Sequence, residues 1–443
     1  MLALRMTVIV ALAGIFCAAS LSRAAERQIG SGSEKTGVTP ARARLAQRTA
    51  PAPETSPPEP RTVRPPAVEE PLPPPSDTFD LLEDGALEDV SRADRTTPLP
   101  PTRRTAWRSP IVSLASVPNM FGDFFNQGGQ ILTVGNYSAL ADIPTAGGAR
   151  RAKISENNKA LPMDRVFFVY NHFHNALDVN PDQYIPGLGR SISVDRYTVG
   201  LEKIILDGRW SVELRMPFVS EYALNSPWFD IQATQVGNLA VTFKRLLYSN
   251  ETTAVAAGLG IDTPTGGNVV GKMSGIDYTL HNDAVHLSPF VGFLTKTNDS
   301  LFWQGFLQLD VAANGNRVNY VLAGTPGTFG TLSEQTLMHI DLSAGYWLYR
   351  NRRAGLVTGL APLVEFHYTT TLNDAQVIGA SVAGESFFFG NLLNRVDVAQ
   401  VTVGMHAEVA NRTTVRLGGV FPLENDADKP FDAEVQVSIN RRF

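Results

Sequence analysis

The chain has 443 residues, 43% hydrophobic and only 18% charged, with a net charge of -5. No apolar run reaches the ~18–20 residues that a helix needs to span a bilayer, which excludes a helical membrane protein. The balance of 38 Lys plus Arg against 43 Asp plus Glu leaves no broad basic face for nucleic acid, and the single Cys17 excludes a disulfide scaffold and a cysteine zinc site.

Residues 1–24 read as a secretory signal. Arg5 supplies the positive start, Met6 to Ala19 is apolar all round, and Ser22-Arg23-Ala24 offers small residues at a cleavage position. Cleavage after Ala24 leaves a chain without cysteine. Residues 25–109 form a Pro-rich linker. Fifteen of the 29 prolines fall between Pro40 and Pro101, and proline removes the donor that helices and sheets need, so this stretch is expected to be extended and disordered. Its one interruption, Phe79 to Leu87, reads mainly as a solvated acidic patch. Residues 110–164 lead into the β-rich part. Within them, the Gly-rich run Ser113 to Gly129 fits a lumen plug, a surface-lying segment or a short strand equally well.

From residue 165 to 443 the pattern has period two. Ala433, Val435, Val437, Ile439 and Phe443 share one face, against Asp432, Glu434, Gln436, Ser438, Asn440 and Arg442 on the other; only Arg441 breaks the apolar side. Leu239, Val241 and Phe243 oppose Asn238, Thr242 and Lys244, and two further segments behave alike. Twelve strands result: 165–175, 194–206, 209–218, 237–248, 252–263, 284–296, 300–312, 335–349, 354–370, 394–409, 412–422 and 431–443. Connections of two to four residues alternate with longer ones, most of about twenty. Trp210, Tyr248, Trp303, Trp347, Tyr349 and Phe443 fall near the short-turn ends; Tyr170, Phe218, Phe366, Tyr368, Phe421 and Phe431 fall near the long-loop ends. Sorted loops and two aromatic belts predict an all-β fold, a transmembrane antiparallel β-barrel of about 12 strands, apolar outside. A soluble β-sandwich would alternate too, but has no reason to sort its loops.

The terminal segment Val435 to Phe443 (VQVSINRRF) resembles the ends of Gram-negative outer-membrane proteins. Leu161 to Asn171 (LPMDRVFFVYN) resembles a motif of uncharacterised outer-membrane barrels, some described as putative transport proteins of phenol-degradation pathways. The resemblance implies location in the cell outer membrane after signal cleavage, with the linker in the periplasm. It also implies lipid as one partner and the barrel-assembly machinery, through Phe443, as another. The linker itself would reach a cell-wall or periplasmic partner.

With apolar faces in lipid, the opposite faces line the lumen. That places Arg196, Glu202, Glu213, Arg215, Lys244, Asp262, Gln304, Gln308, Asp310, His339, Asp341, Glu365, His367, His406, Glu408, Arg416, Glu434 and Gln436 inward, because Arg or Lys at the lipid midplane costs about 2–4 kcal/mol. Mixed signs forecast weak charge selectivity or internal salt bridges that partly fill the lumen. His172 and His174, two apart, lack the further ligands a metal site needs; no metal and no cofactor are expected. His286-Leu287-Ser288 spaces a base and a nucleophile and resembles the spacing in outer-membrane phospholipases, but no orienting Asn is evident and the pair should face inward. Thr263-Pro264-Thr265-Gly266-Gly267 lacks the ending of a phosphate loop. The expected function is a passive channel for small solutes, not an enzyme. The alternatives are an envelope anchor using the Pro-rich tether and, weakest, a lipid esterase.

Overall fold

The computed structural model describes residues 114–123, 127–134, 139–144, 147 and 151–443, apart from 181–189, 221–222, 226–228, 234–235, 274, 383, 393 and 425–428. The expected signal 1–24 and linker 25–109 lie outside the described residues.

Twelve strands form the wall. They are Arg165–Asn180, Arg190–Ile205, Trp210–Ser220, Ala240–Ser249, Thr253–Asp262, His286–Lys296, Leu301–Ala312, Leu337–Tyr346, Val357–Thr371, Asp397–Val409, Thr413–Pro422 and Ala433–Arg442, numbered first to twelfth below. Each pairs antiparallel with the next. The twelfth then pairs with the first, Arg442 opposite Arg165 and Val437 opposite Tyr170, so the cylinder closes. Closure leaves no unpaired strand edge, which the hydrocarbon layer requires.

The sequence dictates this locally. At Leu206, Asp207 and Gly208 the backbone turns left-handed, with φ of 44°, 58° and 78°, and at Ala410 and Asn411 it does so again. These reversals need few residues. Along the twelfth strand Val435 and Ile439 are each 44% exposed while Glu434, Gln436, Ser438 and Asn440 are buried. Leu342, Val364, Val403 and Leu417 continue the outward apolar band on neighbouring strands. An apolar band running round the cylinder is stable only in lipid. Ten-residue strands have the length for a tilted crossing. No helix among the described residues is long and apolar enough to cross a membrane; strands do the crossing.

Two belt residues turn the other way. Trp347 and Phe431, read from sequence as membrane-facing, are 5% and 1% exposed. Trp347 lies after the eighth strand ends at Tyr346, and its ring packs on Phe302 and His406. Phe431 packs on Phe173.

The long connections are built structures. Four carry hairpins: 223–225 with 229–233, 269–273 with 276–280, 316–322 with 325–332, and 377–382 with 385–390. The first three join into a six-stranded sheet. Ile231, Val269, Tyr278, Val318, Phe329, Phe387 and Phe389 share one apolar core with Phe173, Val194 and Phe431 from the barrel and its rim. The long-loop end of the barrel therefore carries a β-sheet roof.

Candidate functional site

The barrel interior holds a second layer of chain. Leu114 and Ala115 lie at the short-turn end, where a cavity of about 340 Å³ is lined by Ala115, Ser116, Arg352, Glu408, Asn411 and Arg442. From there the chain climbs to Asp123. Beyond it, strands 127–134 and 139–144 pair with each other, with Ser386 to Gly390 of the roof, and with Val179 and Asn180 of the first strand. Gly147 is clasped at the top by backbone bonds with Asn238 and Gly267. Residues 151–163 then descend to the start of the first strand. Two antiparallel limbs thus occupy the lumen.

The limbs are tied to the wall by polar groups. Phe121 N donates to both Glu365 oxygens at 2.9 Å, and Gly122 N donates to Oε2 at 3.1 Å. Gln304 donates to Pro118 O. The Arg416 guanidinium donates to Asn119 O, Met120 O and Asn157 Oδ1. On the descending limb, Arg151 pairs with Asp310 and Glu334 at 3.4 Å each. Lys153 pairs with Asp123 and, at 2.6 Å, with Asp341. Ile154 N donates to Gln308, and Glu156 pairs with Arg196 and Arg215. Lys244 donates to Asn158 Oδ1 at 2.7 Å and to Glu202 at 3.0 Å.

All eighteen residues read from the sequence as facing the lumen, from Arg196 to Gln436, are buried. They alternate along their strands with exposed apolar neighbours, and many contact the limbs. His406 packs edge-on against Trp347. Glu434 accepts from Asn171 at 2.6 Å. Glu408 stands 3.8 Å from Arg442. Sequence reasoning did not single out Arg165, which is 1% exposed. It joins Glu202 at 2.8 Å, Glu213 at 2.6 Å and Asn157 O at 2.5 Å. It also missed Asp123, Arg151, Lys153 and Glu156; the last three lie in a charged stretch without period two just before the first strand.

Buried basic side chains of the wall are confined to one side. The first to fourth strands and the eleventh carry Arg165, Arg196, Arg215, Lys244 and Arg416, together with the acidic Glu202 and Glu213. The fifth to tenth carry Asp262, Asp310, Asp341, Glu365 and Glu408, and no buried Lys or Arg among the described residues. Asp123, Asp341 and His367 present donor atoms within 4.8 Å of one another, a spacing that could hold a metal ion. Lys153 already supplies the positive charge there, bonding both carboxylates.

His172 is on the outer surface and pairs with Asp195 at 2.7 Å, while His174 contacts Ser193 Oγ. His286 and Ser288 are both buried on the inward face; His286 Nδ1 lies 2.8 Å from Asp310.

No protein-family model matches the chain, and no curated protein matches it. Among solved structures, it is similar to an outer-membrane channel from Pseudomonas putida F1. The identity is 12% and the TM-score 0.41, over 64% of this chain and 97% of that one. It is also similar to the toluene transporter TbuX of Ralstonia pickettii, with 9% identity and a TM-score of 0.34 over 68% and 97%. The NanC porin gives 7% and 0.34 over 63% and 98%.

Proposed function

We propose that this chain is an outer-membrane channel for small solutes, with a lumen closed by its own inner limbs. One observation carries the reading: the lumen is filled by a separate piece of chain, and the wall's own side chains do not fill it. About eight strands enclose a space that wall side chains can fill, and sixteen or more leave a water-filled channel. Twelve lie between. The space left over holds two limbs whose withdrawal would leave a passage lined by buried polar groups such as Gln308, Asp341 and Arg416. Transport would be passive, and no catalytic role falls to His286 or Ser288.

In this reading the short-turn end, with Phe443, faces the periplasm, and the β-roof faces outward. Lipid surrounds the apolar band and the assembly machinery reads the terminal strand. The Pro-rich linker would reach a periplasmic or cell-wall partner.

The experiment is planar-bilayer recording of the full chain beside Glu365→Ala, which removes the acceptor for Phe121 N and Gly122 N. The expected result is small or rare conductance for the native chain and a larger, more frequent one for the variant. Complete silence of both, with folded barrel inserted, overturns the channel reading.

A further inference from the structure

The limbs are charged in register with the wall, and that register identifies a ligand. On the strands from the sixth to the ninth, carboxylates and imidazoles come in neighbouring pairs. His286 Nδ1 lies 2.8 Å from Asp310, and His367 Nδ1 lies 2.8 Å from Asp341. Each pair holds a side-chain cation of the descending limb: Arg151 at Asp310, and Lys153 at Asp341. The opposite wall holds the limb's anion, Glu156, between Arg196 and Arg215. Asp341 is fully buried, and its Oδ2 has no hydrogen-bond partner, so this pair retains an acceptor for one more donor.

We propose that this acidic wall, centred on Asp310 and Asp341, recognises the alkylammonium or guanidinium group of a permeating solute. Lys153 and Arg151 occupy the site in cis. A buried carboxylate is costly without a cationic partner, so the wall favours either the limb or a ligand that replaces its charge. Guanidinium donors match carboxylates in a planar fork, and the wall already seats a guanidinium here, with Arg151 Nε 3.4 Å from both Asp310 and Glu334. The ligand is thus a small basic solute, and one carrying a carboxylate as well would meet Arg196 and Arg215 across the lumen. The proposal deepens the channel reading, which supplies the route by which such a solute arrives.

The test uses the full chain in detergent micelles with Arg151→Gln and Lys153→Met together, which empty the site and keep most of the packing. Ethylguanidinium is titrated against the unfolding temperature, with ethylurea as the uncharged isostere. The expected result is a rise with ethylguanidinium at a concentration at least tenfold below any effect of ethylurea, lost when Asp310→Asn and Asp341→Asn are added. Equal effects of the two compounds, no effect of either, or a stronger response to calcium or zinc would overturn it. Should the double variant fail to fold, Lys153→Met alone carries the same titration at Asp341. Bilayer recording separates the two readings: binding without current removes the channel and keeps the site, and current without discrimination does the reverse.

Discussion

Gly404 and Gly418 face each other across the tenth and eleventh strands, and the Phe121 ring of the ascending limb lies over both. A Cβ added at Gly404 would come within 2.4 Å of that ring, and one at Gly418 within 2.9 Å. The Arg416 guanidinium stacks on the ring at 4.8 Å, a cation–π contact. The glycine pair is therefore a seat cut into the wall for one side chain. Gly404→Val fills the seat while leaving the strand backbone allowed. The expected outcome is a folded barrel whose ascending limb is loosened, read as increased conductance and faster proteolysis near Phe121. Unchanged conductance would show that Phe121 is not what closes the lumen.

Lys244 and Glu202 test the energetics of the filled interior. Both are buried, at 1% and 0% exposure, and Lys244 also holds Asn158 and the Lys159 carbonyl of the descending limb. Removing one partner of a buried pair costs about 3–5 kcal/mol. Lys244→Met is expected near the lower end, because Arg165 still bonds Glu202. Adding Glu202→Gln should recover part of the loss. Urea unfolding in micelles for the two single variants and the double measures the coupling, and a double variant as unstable as the sum of the singles would argue against a direct partnership.

The wall was legible in the sequence because lipid on one side and polar groups on the other force a strict period of two. All twelve strands are where alternation put them, to within a few residues for most boundaries. The first strand was harder to sort by face. Phe167, Val169 and Phe173 turn inward while Val166 and Phe168 are exposed, so both faces are apolar there and Arg165 passed unnoticed. The roof was missed because its hairpins occupy connections that were counted by length only. Ala323 and Gly324, both left-handed, mark one such turn and are what a closer reading would use. The path of the limbs could not be derived: a lumen plug was only one of three readings open for Ser113 to Gly129. Nothing periodic runs from Arg151 to Glu156, and its logic appears only when the wall charges it answers are gathered from strands far apart in sequence.

Phe443 separates folding from assembly. It is 60% exposed, with Lys203 Nζ 5.1 Å from the ring centroid. An exposed side chain of this kind contributes within about 0.5 kcal/mol to stability. Phe443→Ala is expected to refold in detergent with unchanged urea midpoint, yet to reach the outer membrane of cells in markedly lower yield. Equal loss in both assays would mean that the residue acts through stability and not through recognition.

Asp142 gives the roof a pH dependence. It lies on the strand 139–144, outside the barrel wall, where it accepts from Asp178 N at 2.7 Å and from Gln130 Nε2 at 3.2 Å. Burial outweighs those bonds and pushes its carboxyl up to about 6 from an ordinary 3.8. The folded hairpin therefore binds the proton more tightly than the open one. Its contribution is fully present below about pH 4 and is lost as the pH rises through 6, a difference on the order of 3 kcal/mol. Hydrogen-exchange protection of residues 127–134 and 139–144, corrected for intrinsic rates, should fall between pH 4 and 7 while the barrel strands keep theirs. Asp142→Asn keeps an acceptor for Asp178 N without the charge. It should flatten that profile and raise protection at pH 7; a profile as steep as that of the native chain would assign the dependence to another group.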